Sequence, residues 1–267
     1  MNLRFVLRGS LLALAAVLIA LTGVLLFVES RHQALQSIPP AAPPEPILAV
    51  PRGPLPTAPV GLVEWTRYGT GVYHPVGRGF LFNLPDGQLV GVTTAHSLSF
   101  NGGLPLRNVA LALGERAGLI GEFDAFRGEP GQARTGEDMS IDYALFNVPL
   151  DLVIDPALIL DPDPRGLPQP GERVALYSLV NDQPHVFQGA VLSAGQSAVW
   201  VVMDDLFEPS GLSGSPFISL HTGKVIGMAI ATTRRGGKVL LGLNPIGSLV
   251  EKAGAAQAFP PIIDYRR

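Results

Sequence analysis

The sequence predicts an all-β protein behind a hydrophobic N-terminal span. Three observations predict it. Glycine and proline are abundant, 31 and 25 of 267 residues, so the chain turns often. Short apolar runs recur between those turn signals, the pattern of strands joined by tight connections. Helix signals are few, and the best of them, residues 246–256, closes the chain.

Composition narrows the function. The chain is 47% hydrophobic and 15% charged, with a formal net charge of -3, and lacks the strongly basic balance of nucleic-acid binders. Cysteine is absent, which excludes disulfides, thiolate metal sites, a cysteine nucleophile and lipid attachment through an N-terminal cysteine. The five histidines are scattered without paired-ligand spacing, so no metal or other cofactor is indicated. Arg234-Arg-Gly-Gly-Lys238 is too short for a phosphate-binding loop and reads as a solvated turn.

Arg4 and Arg8 precede a charge-free stretch, residues 9–28. A helix needs about 20 apolar residues to cross the hydrocarbon core. This span is therefore expected to be a transmembrane signal anchor, with residues 1–8 cytoplasmic and the remainder on the periplasmic or outer face of the inner membrane. The rival is a cleaved signal peptide, but no small-x-small site precedes Glu29, which favours retention. Residues 29–59 read as a linker, polar at first and proline-rich from Pro39 to Pro59. Such a segment favours extended polyproline conformation, ~3.1 Å per residue, and acts as a semi-rigid spacer.

Residues 60–267 form the folded part, a length that fits one all-β unit or two small barrels. Strands are expected at 79–83, 88–94, 109–113, 143–148, 173–177, 186–192, 198–203 and 224–230. Pro85-Asp-Gly87 reads as a hairpin turn between the first two. Residues 114–140 are polar and glycine-bearing, a long loop or loop-rich hairpin. The proline-rich stretch 161–170 is a natural connection between two halves.

The chemistry concentrates in Ser210-Gly-Leu-Ser-Gly-Ser-Pro-Phe217. A serine hydroxyl is a poor nucleophile until a base takes its proton and a third group fixes the base's tautomer. Backbone N–H groups must also meet the oxyanion that forms. Gly211 lets the chain turn so that its own N–H and that of Ser213 converge, and Gly214 leaves space behind. Ser210 and Ser215 lack glycine at that offset, so Ser213 is the candidate nucleophile. His96 ends the apolar run 89–95, which delivers it to a strand end, whereas His32, His74, His185 and His221 carry no supporting pattern. Asp142 opens the apolar run 143–148, where it can be buried against an imidazole, while Glu137 and Asp138 sit in polar surroundings.

Gly79-Phe-Leu-Phe, Thr94-Ala-His96, Asp142-Tyr-Ala-Leu and Gly211-Leu-Ser-Gly-Ser-Pro216, in that order, resemble the trypsin/chymotrypsin-like serine proteases, and the cysteine-free bacterial branch most. The resemblance spans about residues 68–256. It implies two six-stranded antiparallel β-barrels, about 60–160 and 170–250, with His96 and Asp142 from the first and Ser213 from the second. It implies a serine endopeptidase acting on protein or peptide substrates through an acyl-enzyme, its oxyanion held by the N–H groups of Gly211 and Ser213. The alternative is a catalytically silent copy of that fold serving as a scaffold for an envelope protein.

Departures from the family pattern carry information. Leu212 stands where members made as zymogens carry an aspartate that pairs with a freed N-terminus, so activation by such cleavage is not expected. Residues 205–210 and 227–232 are expected to wall the specificity pocket through Phe207, Gly227 and Ala229. Phe207 replaces the aspartate that selects Lys or Arg, and Ala229 replaces the histidine with which glutamyl endopeptidases read glutamate. A small or medium apolar side chain is the expected preference. The periplasmic stress proteases share the anchor-plus-protease layout but add PDZ domains. The sequence ends at Arg267, so neither that module nor the associated trimers are assumed.

Overall fold

Apolar runs that bury both faces of a strand decide the architecture. The computed structural model describes residues 39–265, except Thr70, 100–103 and Ala117. The charge-free span 9–28 and the flanking Arg4 and Arg8 lie outside the described residues. Among the described residues no helix is long and apolar enough to cross a membrane.

The first half contains β1 (Leu62–Tyr68), β2 (Tyr73–Asn83), β3 (Leu89–Thr93), β4 (Leu106–Ala112), β5 (Leu119–Phe123), β6 (Ala144–Asn147) and β7 (Ile159–Leu160). Their order is β5-β4-β1-β2-β3-β6, antiparallel throughout, with β7 added parallel to β2. The second half contains β8 (Arg173–Val180), β9 (Gln183–Ala194), β10 (Val199–Met203), β11 (Pro216–Ser219), β12 (Val225–Arg235) and β13 (Lys238–Pro245). These six strands close into a barrel, β10-β13-β12-β11-β8-β9. One α-helix among the described residues, α1 (Ile246–Ala255), follows as expected. Leu84 N–H donates to the Gln88 carbonyl at 2.8 Å, closing the expected hairpin over Pro85-Asp-Gly87.

One expectation needs correction and another is decided between its two forms. The first half is not a closed six-stranded barrel, because the β4–β5 ladder ends at Phe123 and β5 does not pair with β6. Among the described residues the next stretch reaches across: Arg127 N–H donates to the Leu145 carbonyl at 2.8 Å, and Asn147 N–H to that of Ala125 at 3.1 Å. The same short stretch also pairs with the chain's end, Phe126 with Pro260 at 2.9 Å and Ile262 with Asp124 at 2.8 Å. Of the two readings of residues 114–140, the loop-rich hairpin holds, since β5 lies within them and pairs antiparallel with β4. Its Leu119-Ile-Gly-Glu-Phe123 is interrupted by glycine and glutamate, which hid the strand's alternation.

Strand periodicity then explains the cores. Side chains two apart share a face. Phe80 and Phe82 enter one apolar cluster while Leu81, between them, enters another. Ala175 and Tyr177 on β8 join the first of these clusters, and Val174 and Leu176 fill the interior of the closed barrel. The shared cluster therefore glues the first sheet to the second barrel, with Ile246, Leu249 and Ala253 of α1 sealing it. Strands buried on both sides read as continuous apolar runs, which is how most of them were visible in the sequence.

The proline-rich segment is extended but does not stand free over its described part. Gly53 N–H donates to the His221 carbonyl at 2.9 Å, and His221 Nε2 lies 2.6 Å from the Val50 carbonyl. Farther along, the Pro44 carbonyl lies so close to Gly171 that a Cβ there would collide with it. Beneath this strap sits a buried ion-pair network in the connection to β8. Arg165 Nη2 lies 2.7 Å from Asp163 Oδ2 and 2.8 Å from Glu172 Oε1. Thr222 Oγ1 donates to Asp163 at 2.8 Å and Ser219 Oγ to Glu172 at 2.5 Å.

Candidate active site

Strand β3 ends at Thr93, and the chain turns at once into a short 3-10 turn over Ser97–Ser99. His96 stands at that corner with its side chain 29% exposed. Its Nδ1 lies 2.8 Å from Asp142 Oδ2. Asp142 is completely buried just before β6, and its carboxylate also accepts the backbone N–H of His96 and of Arg134, each at 3.1 Å. A carboxylate only accepts, so Nδ1 carries the ring proton and Nε2 is left as a base. Asn244 at the end of β13 donates from Nδ2 to the carbonyls of Ser140 at 3.2 Å and Asp142 at 3.4 Å, tying the aspartate's loop to the barrel.

Ser213 comes to the same place from the other half. Its carbonyl accepts the Arg78 N–H at 2.8 Å. The space beside Gly77 is bordered by that carbonyl and by the Cβ of Ser97, the residue after His96. The turn before Ser213 is built for glycine. Leu212 N–H donates to the Pro209 carbonyl at 3.2 Å and Gly211 has φ +77°, the geometry of a type II turn. Gly214, at φ +91°, packs so closely on the Arg78 carbonyl that any Cβ would overlap it. Among the described residues the N–H groups of Gly211 and Ser213 donate to no protein acceptor, and no hydrogen bond joins Ser213 Oγ to His96. Leu212 is 5% exposed and packs into the barrel's apolar cluster, so the turn is pinned by burial rather than by an ion pair.

The residues expected to shape specificity are distributed differently from one another. Ala229 lies in the barrel cluster, its backbone bonded to Gly214 and Ser215 at 2.8 and 2.9 Å. Gly227 faces the Asn244 carbonyl and Leu243 inside the barrel. Phe207 is partly exposed and stacks on Phe187 of β9 with ring centroids 4.1 Å apart. Arg234 pairs with the exposed Glu208 at 3.1 Å.

Sequence reasoning did not find Glu64. It sits in the middle of β1, completely buried, yet within the same neighbourhood. Thr93 Oγ1 donates to its Oε2 at 2.5 Å and Ser97 Oγ to its Oε1 at 3.0 Å. Burial raises its pKa from 4.5 to about 7, although those hydroxyls and the charges of His96 and Arg78 pull it down. Its strand, Leu62-Val-Glu-Trp-Thr-Arg-Tyr68, also carries Thr66 and Arg67, so nothing in the sequence set Glu64 apart.

No protein-family model and no curated protein matches the sequence. Among solved structures, catalytically active tobacco etch virus protease bound to product is similar over 82% of this chain and 87% of its own, with 16% identity and a TM-score of 0.51. Rv3671c from M. tuberculosis H37Rv, in an inactive mutant form, is 18% identical over 82% of this chain and 99% of its own, TM-score 0.49. The thermostable serine protease AL20 from an extremophilic microorganism is 14% identical over 75% of this chain and 98% of its own, TM-score 0.48. The structural neighbours are trypsin/chymotrypsin-like proteases, and the chain has the chymotrypsin fold.

Proposed function

We propose that this chain is a serine endopeptidase. Ser213 Oγ attacks a peptide carbonyl, and His96 Nε2 accepts the hydroxyl proton and returns it to the leaving amine. Asp142 stays ionised and stabilises the imidazolium. The N–H groups of Gly211 and Ser213 hold the oxyanion, and water then hydrolyses the acyl-enzyme. The observation that carries this reading is the 2.8 Å contact of His96 Nδ1 with a fully buried Asp142 carboxylate. Such a pair fixes the proton on Nδ1 and leaves Nε2 without one, and the N–H groups of Gly211 and Ser213 have no protein acceptor among the described residues. Substrates are proteins or peptides, and the surroundings of Phe207 and Ala229 favour a small or medium apolar side chain before the cut.

Buried Leu212 supports an enzyme that needs no N-terminal processing. The charge-free span 9–28 behind Arg4 and Arg8 supports a single-pass anchor in the inner membrane with the catalytic body outside the cytoplasm. A second reading, a catalytically silent scaffold, draws support from the absence of a Ser213–His96 hydrogen bond among the described residues. A fluorophosphonate probe separates the two. Covalent labelling of the wild type and none of Ser213→Ala is the expected result; no labelling of either at any pH sinks the enzyme.

A further inference from the structure

Glu64 is buried where no ordinary step of serine proteolysis needs a carboxyl group. Its surroundings have an unusual property: both hydroxyls that bind it have a second acceptor within reach. Thr93 Oγ1 lies 2.5 Å from Glu64 Oε2 and 2.8 Å from the Arg78 carbonyl. Ser97 Oγ lies 3.0 Å from Glu64 Oε1 and 2.8 Å from the Thr94 carbonyl. Each hydroxyl has one proton to give. With Glu64 ionised, both protons point at its two oxygens. With Glu64 protonated, its O–H donates to one hydroxyl oxygen, and that hydroxyl turns its own proton to the backbone carbonyl. Both hydroxyls and both carboxyl oxygens stay bonded in either state, and apart from the carboxyl's own proton only the proton given to the backbone carbonyls changes. Either state therefore fits the same backbone.

The cluster is joined to both halves of the site. The Arg78 peptide that receives the Thr93 hydroxyl also donates its N–H to the Ser213 carbonyl at 2.8 Å. Ser97 follows His96 directly in the chain. The charged and titratable groups around Glu64 are Arg78 of β2, His96 after β3 and Tyr68 of β1, all electrostatically coupled to it. Of these, His96 is the one whose charge changes during the proposed reaction.

We propose that Glu64 is a positioning residue, a proton-holding carboxyl beneath the His96–Ser213 junction whose ionised form favours the imidazolium that develops on His96. The effect on rate rests on the serine-protease reading; the proton-holding behaviour does not. Burial that raises the group to about 7 places the switch within the working range of such a site.

The test uses the full chain and its Glu64→Gln variant, which keeps size and hydrogen bonding but cannot ionise. The rate of fluorophosphonate labelling is followed from acid to alkaline pH. The wild type is expected to show an extra ionisation near 7. Glu64→Gln loses that step and, above it, labels roughly three- to tenfold more slowly, the size expected of one charge acting on another through protein. Superimposable profiles would overturn the effect on rate. Wild type unlabelled at every pH would instead sink the protease reading, and carboxyl carbon NMR then decides the rest. The resonance missing from Glu64→Gln should titrate near 7 and move upward in His96→Ala. A midpoint at the ordinary glutamate value of 4.5 would overturn the proton-holding role.

Discussion

Arg78 N–H donates to the Ser213 carbonyl at 2.8 Å, so a strand of the first sheet holds the nucleophile's loop of the second barrel. The two halves of the site are registered by backbone, not by side chains alone. Gly214 makes the approach possible, since its φ of +91° and its missing Cβ let the chain lie against the Arg78 carbonyl. Gly214→Ala should therefore cost at least about 2 kcal/mol, from strain plus overlap with backbone that cannot swing away. Denaturant unfolding and the labelling rate measure it together. An alanine variant as stable and as fast to label as the wild type would show that the loop has another way to sit.

Asp142→Asn addresses the base. The carboxylate accepts from His96 Nδ1, His96 N and Arg134 N. An amide presents one oxygen and two donor hydrogens, so it favours the tautomer with the proton on Nε2. The expected loss in labelling or turnover is on the order of 10⁴-fold, with the fold retained. A loss below tenfold would mean that the aspartate does not orient the base.

Glu64 also predicts the pH dependence of stability. The native state keeps a proton that the unfolded chain releases between 4.5 and about 7. Stability therefore falls as pH rises through that window, because the folded state binds more protons there. The change amounts to roughly 3 kcal/mol at most, from about 1.4 kcal/mol per unit. Glu64→Gln should flatten this slope and unfold at higher denaturant than the wild type at pH ~8. Equal slopes for the two proteins between acid and neutral pH would contradict the assignment.

Arg165→Met tests the buried network behind the barrel. Asp163 and Glu172 are almost fully buried and share this one guanidinium. Removing it strands two carboxylates, at a cost of about 3–5 kcal/mol. Burial pushes Asp163 up, but the bonds from Arg165 and Thr222 outweigh it and hold the group below 3.8. That contribution is present above 3.8 and fades as pH falls through the lowered value, so the variant's deficit should shrink in acid. A thermal-unfolding series across pH gives the result, and a deficit that grew on acidification would refute the pairing.

The sequence by itself determined eight of the strands, the hairpin at Pro85-Asp-Gly87, the closing helix and the candidates His96, Asp142 and Ser213, but not β1 or β13. These follow from local physics: apolar runs, turn residues, and a glycine spacing that a nucleophile's turn requires. β5 was legible only as one arm of a loop-rich hairpin, because glycine and glutamate broke its alternation. The incomplete closure of the first sheet, and the strap laid over the second barrel, depend on contacts between distant segments. No strand was expected around Glu64, and nothing local distinguishes a solvated glutamate from one enclosed by Thr93 and Ser97. Only tertiary structure brought those residues together, because packing, not sequence neighbourhood, decides which polar group loses its water and which partners replace it.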